Sequence, residues 1–172
     1  KFALDVVDQI LVYDVGMTPT EHSVLESFEK VTVISLDSLD DFASLQDFML
    51  NPADYAWKHP CQLDASRYGR LILWVDAGAC LVQSGLEEIF ETIDRDDIMM
   101  IGTKYVTGEW TTIECAERMS ASSSELDAPM IASCVFGYKS NGKFLRLFQD
   151  AKEYNNSKEC ILGPKWGQLG LY

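Results

Sequence analysis

The chain has 172 residues, 47% hydrophobic and 24% charged, with a formal net charge of −13 at pH 7. That length favours one domain with enough apolar surface for a core, and the acidity argues against nucleic-acid partners, because it repels phosphate backbones. No apolar run approaches the roughly 18 residues of a membrane span, and the charged opening KFALDVVDQ is unlike a signal peptide.

Residues 10–16, ILVYDVG, are rich in β-formers and stop at Gly16, which predicts a buried strand. Thr18, Pro19 and Glu21 then supply a helix cap, a first-turn proline and a capping-box acid, and Val24, Leu25 and Phe28 recur at helical spacing. The helix is expected over 19–30 and the next strand, VTVISL, over 31–36. Tight joins between strand, helix and strand favour a parallel pairing with a right-handed crossover.

Residues 37–52 fit a short helix or an ordered loop ended by Asn51-Pro52. A helix follows over 54–68, with Pro60 as its alternative start and Gly69 as its stop. Then come a strand at 70–76 (RLILWVD), an amphipathic helix at 85–93 and a buried strand at 97–102. Residues 103–128 are polar and read as irregular, 130–139 as a strand, and 141–155 as a helix with Phe144, Leu147, Phe148 and Ala151 on one face. Strands alternating with helices predict an α/β fold, an open and mostly parallel sheet with helices on both faces. Ligands of such sheets sit beyond the carboxyl ends of the strands. Asp14 and Asp76 both fall at such ends.

Asp76 has two readings. It either caps a turn or holds a divalent cation such as magnesium or manganese against a phosphate, with Gly78 permitting close approach to the backbone. In DYAWKHP, 54–60, Lys58 would neutralise a diphosphate, and Tyr55 or Trp57 would stack on a base; core packing and solvation are the plainer roles. His22 and His59 have no metal-pair spacing; His59 either titrates near a site or lies on the surface, and a surface position is expected. Lys165 and Trp166, in the glycine-punctuated 162–170 segment, are ligand contacts or packing. Cys61, Cys80, Cys115, Cys134 and Cys160 contain no C-x-x-C, so reduced, buried thiols are expected. Asn155-Asn156-Ser157 matches a glycosylation sequon, which leaves cytoplasm and secretory lumen both open.

One further pattern is partial. Asp14 and Thr18 fit the D-x-D-x-T of haloacid dehalogenase-like phosphatases, with Asp14 as nucleophile, but Gly16 stands where the second aspartate supplies the general acid.

Taken in order, ILVYDVGMTP, YAWK, LILWVDAG, FGYKSNGK and ILGPKW resemble nucleotide-sugar-dependent glycosyltransferases of the GT-A fold, specifically a group with YAWK and LWxDxG motifs. The resemblance runs through nearly the whole chain. It implies a single GT-A-like domain over 1–172 that lacks the opening strand and helix and the downstream segment bearing His and Asp. It implies transfer of a hexose from a nucleotide diphosphate sugar to a glycan or other hydroxyl acceptor. Asp76 takes the first position of D-x-D, Ala77 the middle, and Gly78 the place of the second aspartate. Asp76 would hold the manganese or magnesium ion, although the loss of the second acid leaves cation dependence open. Asp14 would lie near the nucleotide, Lys58 would face the diphosphate, and Ser133 would border the sugar or acceptor. A domain that binds sugar nucleotide or glycan without catalysis is the alternative, and a purely structural domain a further one.

Overall fold

The computed structural model describes residues 5–39, 55–79 and 85–164. Strand β1 (Ile10–Asp14) leads into helix α1 (Pro19–Glu26) and strand β2 (Val31–Ser35). β1 and β2 pair in parallel, Ile10 opposite Val31 and Asp14 opposite Ser35. The capping box forms as expected: Thr18 Oγ1 accepts from Glu21 N–H at 3.3 Å, and the Glu21 carboxylate accepts from Thr18 N–H at 2.8 Å. α1 is shorter than the 19–30 its periodicity suggests, because Lys30 adopts a left-handed φ of 65° to turn the chain into β2. Its expected apolar face is not covered among the described residues: Val24 and Phe28 are more than half exposed.

After Leu39 the description resumes at Tyr55. Most of the ambiguous 37–52 stretch therefore lies outside the described residues. Helix α2 (Lys58–Ala65) precedes strand β3 (Leu71–Val75), helix α3 (Leu86–Asp96) and strand β4 (Ile98–Val106). The stretch read as irregular holds three short helices, α4 (Thr107–Trp110), α5 (Ile113–Arg118) and α6 (Ser123–Leu126). Thr112 and Ser122 cap the last two through their hydroxyls. Polar residues there start helices instead of forming coil. Strand β5 (Pro129–Lys139), helix α7 (Leu145–Asn155) and helix α8 (Lys158–Leu162) complete the order.

The α/β class holds, but the expectation of a mostly parallel sheet does not. β3, β5 and β4 form a second sheet in that order, with β5 antiparallel to both neighbours. Among the described residues one pairing is parallel and two are antiparallel. An apolar run carries no mark of strand direction, so the run at 130–139 could not announce the reversal.

Trp74 joins the two sheets. Its ring lies 6.3 Å from Tyr13 of β1 and 6.4 Å from Phe136 of β5, stacked on both. It borders two core clusters, Ile34–Leu36–Leu39–Cys61 on one side and Phe136–Tyr138–Phe148 on the other. Stacked aromatic pairs of this kind add about 1 kcal/mol each beyond their buried area. Tyr138, wholly buried, donates its hydroxyl to the Gln62 carbonyl and so ties α2 to β5.

Cys61 and Cys160 are buried free thiols as expected, Cys115 is half-buried, and Cys134 is exposed, contrary to expectation; Cys80 lies outside the described residues. Asn155 of the sequon is buried and donates its amide to Ala56 O at 3.2 Å. That fold position does not present it to a glycosylating enzyme. Among the described residues no helix is long and apolar enough to cross a membrane.

Candidate functional site

β3 delivers Asp76 to the site. The Asp76 N–H extends the ladder by donating to Cys134 O at 2.8 Å, and its carbonyl accepts from Ala79 N–H at 2.8 Å. The chain therefore turns tightly through Ala77 and Gly78, both exposed. Residues two apart on a strand share a face, so Trp74 and Asp76 point the same way. Trp74 Nε1–H donates to Asp76 Oδ1 at 2.9 Å.

Lys58, at the start of α2, reaches the other oxygen. Its Nζ donates to Asp76 Oδ2 at 2.6 Å, with the Lys58 side chain 8% exposed and that of Asp76 29%. A lysine this buried persists only when its charge is paired. The ammonium also lies 4.7 Å from the centre of the Tyr55 ring, within cation–π range. Tyr55 holds a left-handed φ of 57° while its side chain stands out to solvent. Such a conformation costs a bulky residue about 1 kcal/mol, and here it sets the ring against Lys58.

Lys58 also lines a cavity of about 330 Å³. Tyr55, His59 and Gln62 share its wall with Ser133 of β5, and Met100, Ile131, Phe136, Phe148 and Ile161 make much of the rest apolar. His59 is not the surface histidine expected. Its Nδ1 sits 2.8 Å from Gln62 Oε1, an oxygen that only accepts, so Nδ1 carries the proton. Burial pushes the His59 pKa below 6.5; the Lys58 charge acts the same way and the Gln62 bond opposes both. The shift favours the neutral imidazole at pH 7.

Asp14, the last residue of β1, is occupied by its own loop. Its Oδ1 accepts from Gly16 N–H at 2.8 Å and Met17 N–H at 2.6 Å. Those two amides, Met17 first, hold its carboxyl below the usual 3.8. Gly16 has φ of 131°, a conformation in which an aspartate would be strained. The backbone therefore excludes the acid that the phosphatase motif needs at this position. Asp14 borders a separate pocket of about 390 Å³ with Met17, Thr18, Pro19, His22 and Ser23. His22 pairs with Glu26 at 3.3 Å, one helical turn away.

Of the residues expected at the site, Lys58, Tyr55 and Ser133 share one cavity wall, and Asp76 joins them through Lys58 without lining the cavity itself. Trp57 instead packs against the Ile34–Cys61 cluster, 6.5 Å from Trp74. Lys165 and Trp166 lie outside the described residues.

Among the described residues the donor set does not fit a divalent ion. Magnesium and manganese want several oxygen ligands. Asp76 offers one carboxylate whose oxygens already hold an ammonium and an indole N–H, and Gly78 offers no side-chain ligand. Among the described residues no group of three or more His, Cys, Asp or Glu is placed to hold a metal ion.

Sequence reasoning overlooked Trp74 and Gln62, and placed His59 on the surface. The W-x-D spacing of 74 and 76 on a strand and the H-x-x-Q spacing of 59 and 62 on a helix were the signals available. Compared with known proteins, the chain matches no family model, no curated protein and no solved structure.

Proposed function

We propose that this chain is a glycosyltransferase domain of GT-A type, moving a hexose from a nucleoside diphosphate sugar to a hydroxyl acceptor. One observation carries the reading: at the end of β3 the Asp76 carboxylate meets the buried Lys58 ammonium at 2.6 Å, and that lysine shares a cavity wall with Tyr55 and Ser133. The parallel β1–α1–β2 unit and a sheet in which β5 runs antiparallel between β3 and β4 are compatible with it.

In the reaction the bond between the anomeric carbon and the diphosphate oxygen breaks, and its electron pair leaves with the diphosphate. The acceptor oxygen bonds to the anomeric carbon, and its proton passes to a base to which no residue is assigned. The charge that grows on the leaving group is met by Lys58. Tyr55 offers a stacking face for the base, and Ser133 a hydroxyl for the sugar.

A specific observation favours a second reading, a donor-binding domain without turnover. Both Asp76 oxygens are engaged within the protein, and Gly78 contributes no second acid.

The test is release of nucleoside diphosphate from UDP-hexoses and GDP-hexoses, with and without manganese, by the wild type and by Asp76→Ala. Slow release that falls about 100-fold in the variant is expected. Donor binding with no release in any condition selects the second reading. Release unchanged in Asp76→Ala, or no donor binding, overturns the first.

A further inference from the structure

We infer that the donor's diphosphate is held without a divalent cation, the Lys58 ammonium standing in the place of the ion. The inference rests on the glycosyltransferase reading and concerns how that site meets its charge.

A chain of net charge −13 needs local positive charge to receive a diphosphate. Lys58 brings an ammonium to the cavity wall, shared with Asp76. An ammonium has three donors, and one of them is committed to Asp76 Oδ2, which leaves donors for phosphate oxygens. The Tyr55 ring covers the same charge. His59, the next residue and on the same wall, favours its neutral form, which neither repels nor neutralises the anion.

A cation at Asp76 would meet an occupied ligand. It would have to displace the ammonium from Oδ2 and the indole N–H from Oδ1. That would leave a lysine 6% exposed without its counter-charge, which is the costly way to break a buried pair. Nor does the fold forbid a second acid. A Cβ at Gly78 meets nothing within 4 Å, so steric crowding does not explain why this position carries no carboxylate. The lysine that neutralises Asp76 removes the need for one.

The experiment is calorimetric titration of the wild-type protein with UDP and with GDP, once in EDTA and once in excess manganese. One or both nucleotides should bind with dissociation constants that agree within about threefold between the two buffers. Lys58→Met should weaken binding in EDTA by roughly 10- to 100-fold, the worth of a hydrogen bond to a charged group, and Lys58→Arg should restore part of it. Binding that needs manganese, weakened tenfold or more by EDTA, overturns the inference and leaves the donor reading standing. Failure of both nucleotides to bind in either buffer removes the donor reading and the inference with it. The wild-type comparison uses no variant, so it decides the matter even if Lys58→Met does not fold.

Discussion

The two ends of β3 carry the same chemistry in different surroundings. At its amino end, Arg70 and Lys139 both pair with Asp94, and Lys139 reaches Asp97 at 3.0 Å. At its carboxyl end, Lys58 pairs with Asp76. The first group is a surface network, with Arg70 59% and Asp94 44% exposed, whereas the Lys58 side chain is 8% exposed. Water competes for Arg70 and Asp94, so their pair contributes little, while Lys139 and Asp97 are 19% and 27% exposed. The second pair is shielded by Trp74, and its partners come from separate elements, α2 and β3. Ion pairing alone does not mark a candidate site; this pair is set apart by the burial of Lys58 and by the cavity that Lys58 lines.

The largest break in that contrast is Lys58→Met. It should lower stability by roughly 3 kcal/mol, the low end for a broken buried pair because Asp76 keeps some exposure. Urea denaturation measures the loss, and adding Asp76→Asn should recover part of it. Trp74→Phe keeps most of the stacking surface and removes the bond to Asp76 Oδ1, for about 1 kcal/mol by the same assay.

Smaller still is the titration of His59. Its folded pKa lies below the 6.5 of the free residue, so the unfolded chain binds the extra proton. The contribution is complete above 6.5 and lost as pH falls through the folded value. From pH 5 to 7.5 the wild type should gain midpoint temperature relative to His59→Gln, whose own midpoint lacks this titration. The midpoint of the wild type relative to the variant should rise with pH and level off above 6.5; a relative midpoint that falls as pH rises would contradict the assignment.

The smallest effect belongs to Asp94→Asn. Hydrogen bonds from Arg70, then Lys139, lower the Asp94 pKa from 3.8 to about 2. Its contribution is present above 3.8 and fades as pH falls through about 2. The difference from wild type at pH 5 should be slight, should shrink as pH falls through about 2, and should also be erased by 1 M salt.

Much of this arrangement was legible in the sequence. The capping box of α1, the parallel partnership of β1 and β2, and the placement of Asp14 and Asp76 at strand ends all followed from local signals. Lys58 and Asp76 were both singled out, but nothing in a linear sequence joins residues 18 positions apart on different elements. Trp74 was hidden in a greasy run because its indole N–H matters only once Asp76 is beside it. The antiparallel course of β5 was invisible, since apolar alternation is the same in either direction. The short helices between 107 and 126 were missed although Thr112 and Ser122 are good caps, because four- and six-residue helices carry too little periodicity to register. Asp14 and Asp76 looked alike in sequence; only geometry separates the carboxylate bound by its own loop from the one bound by a lysine of another element.

The bond between the Trp74 indole and Asp76 turns the site into its own optical reporter. Indole emission responds to nearby charge, and a phosphate that draws Lys58 toward itself changes the field at this ring. If the donor reading holds, occupancy should register in the ultraviolet fluorescence of the unlabelled protein, and Trp74→Phe should diminish the change.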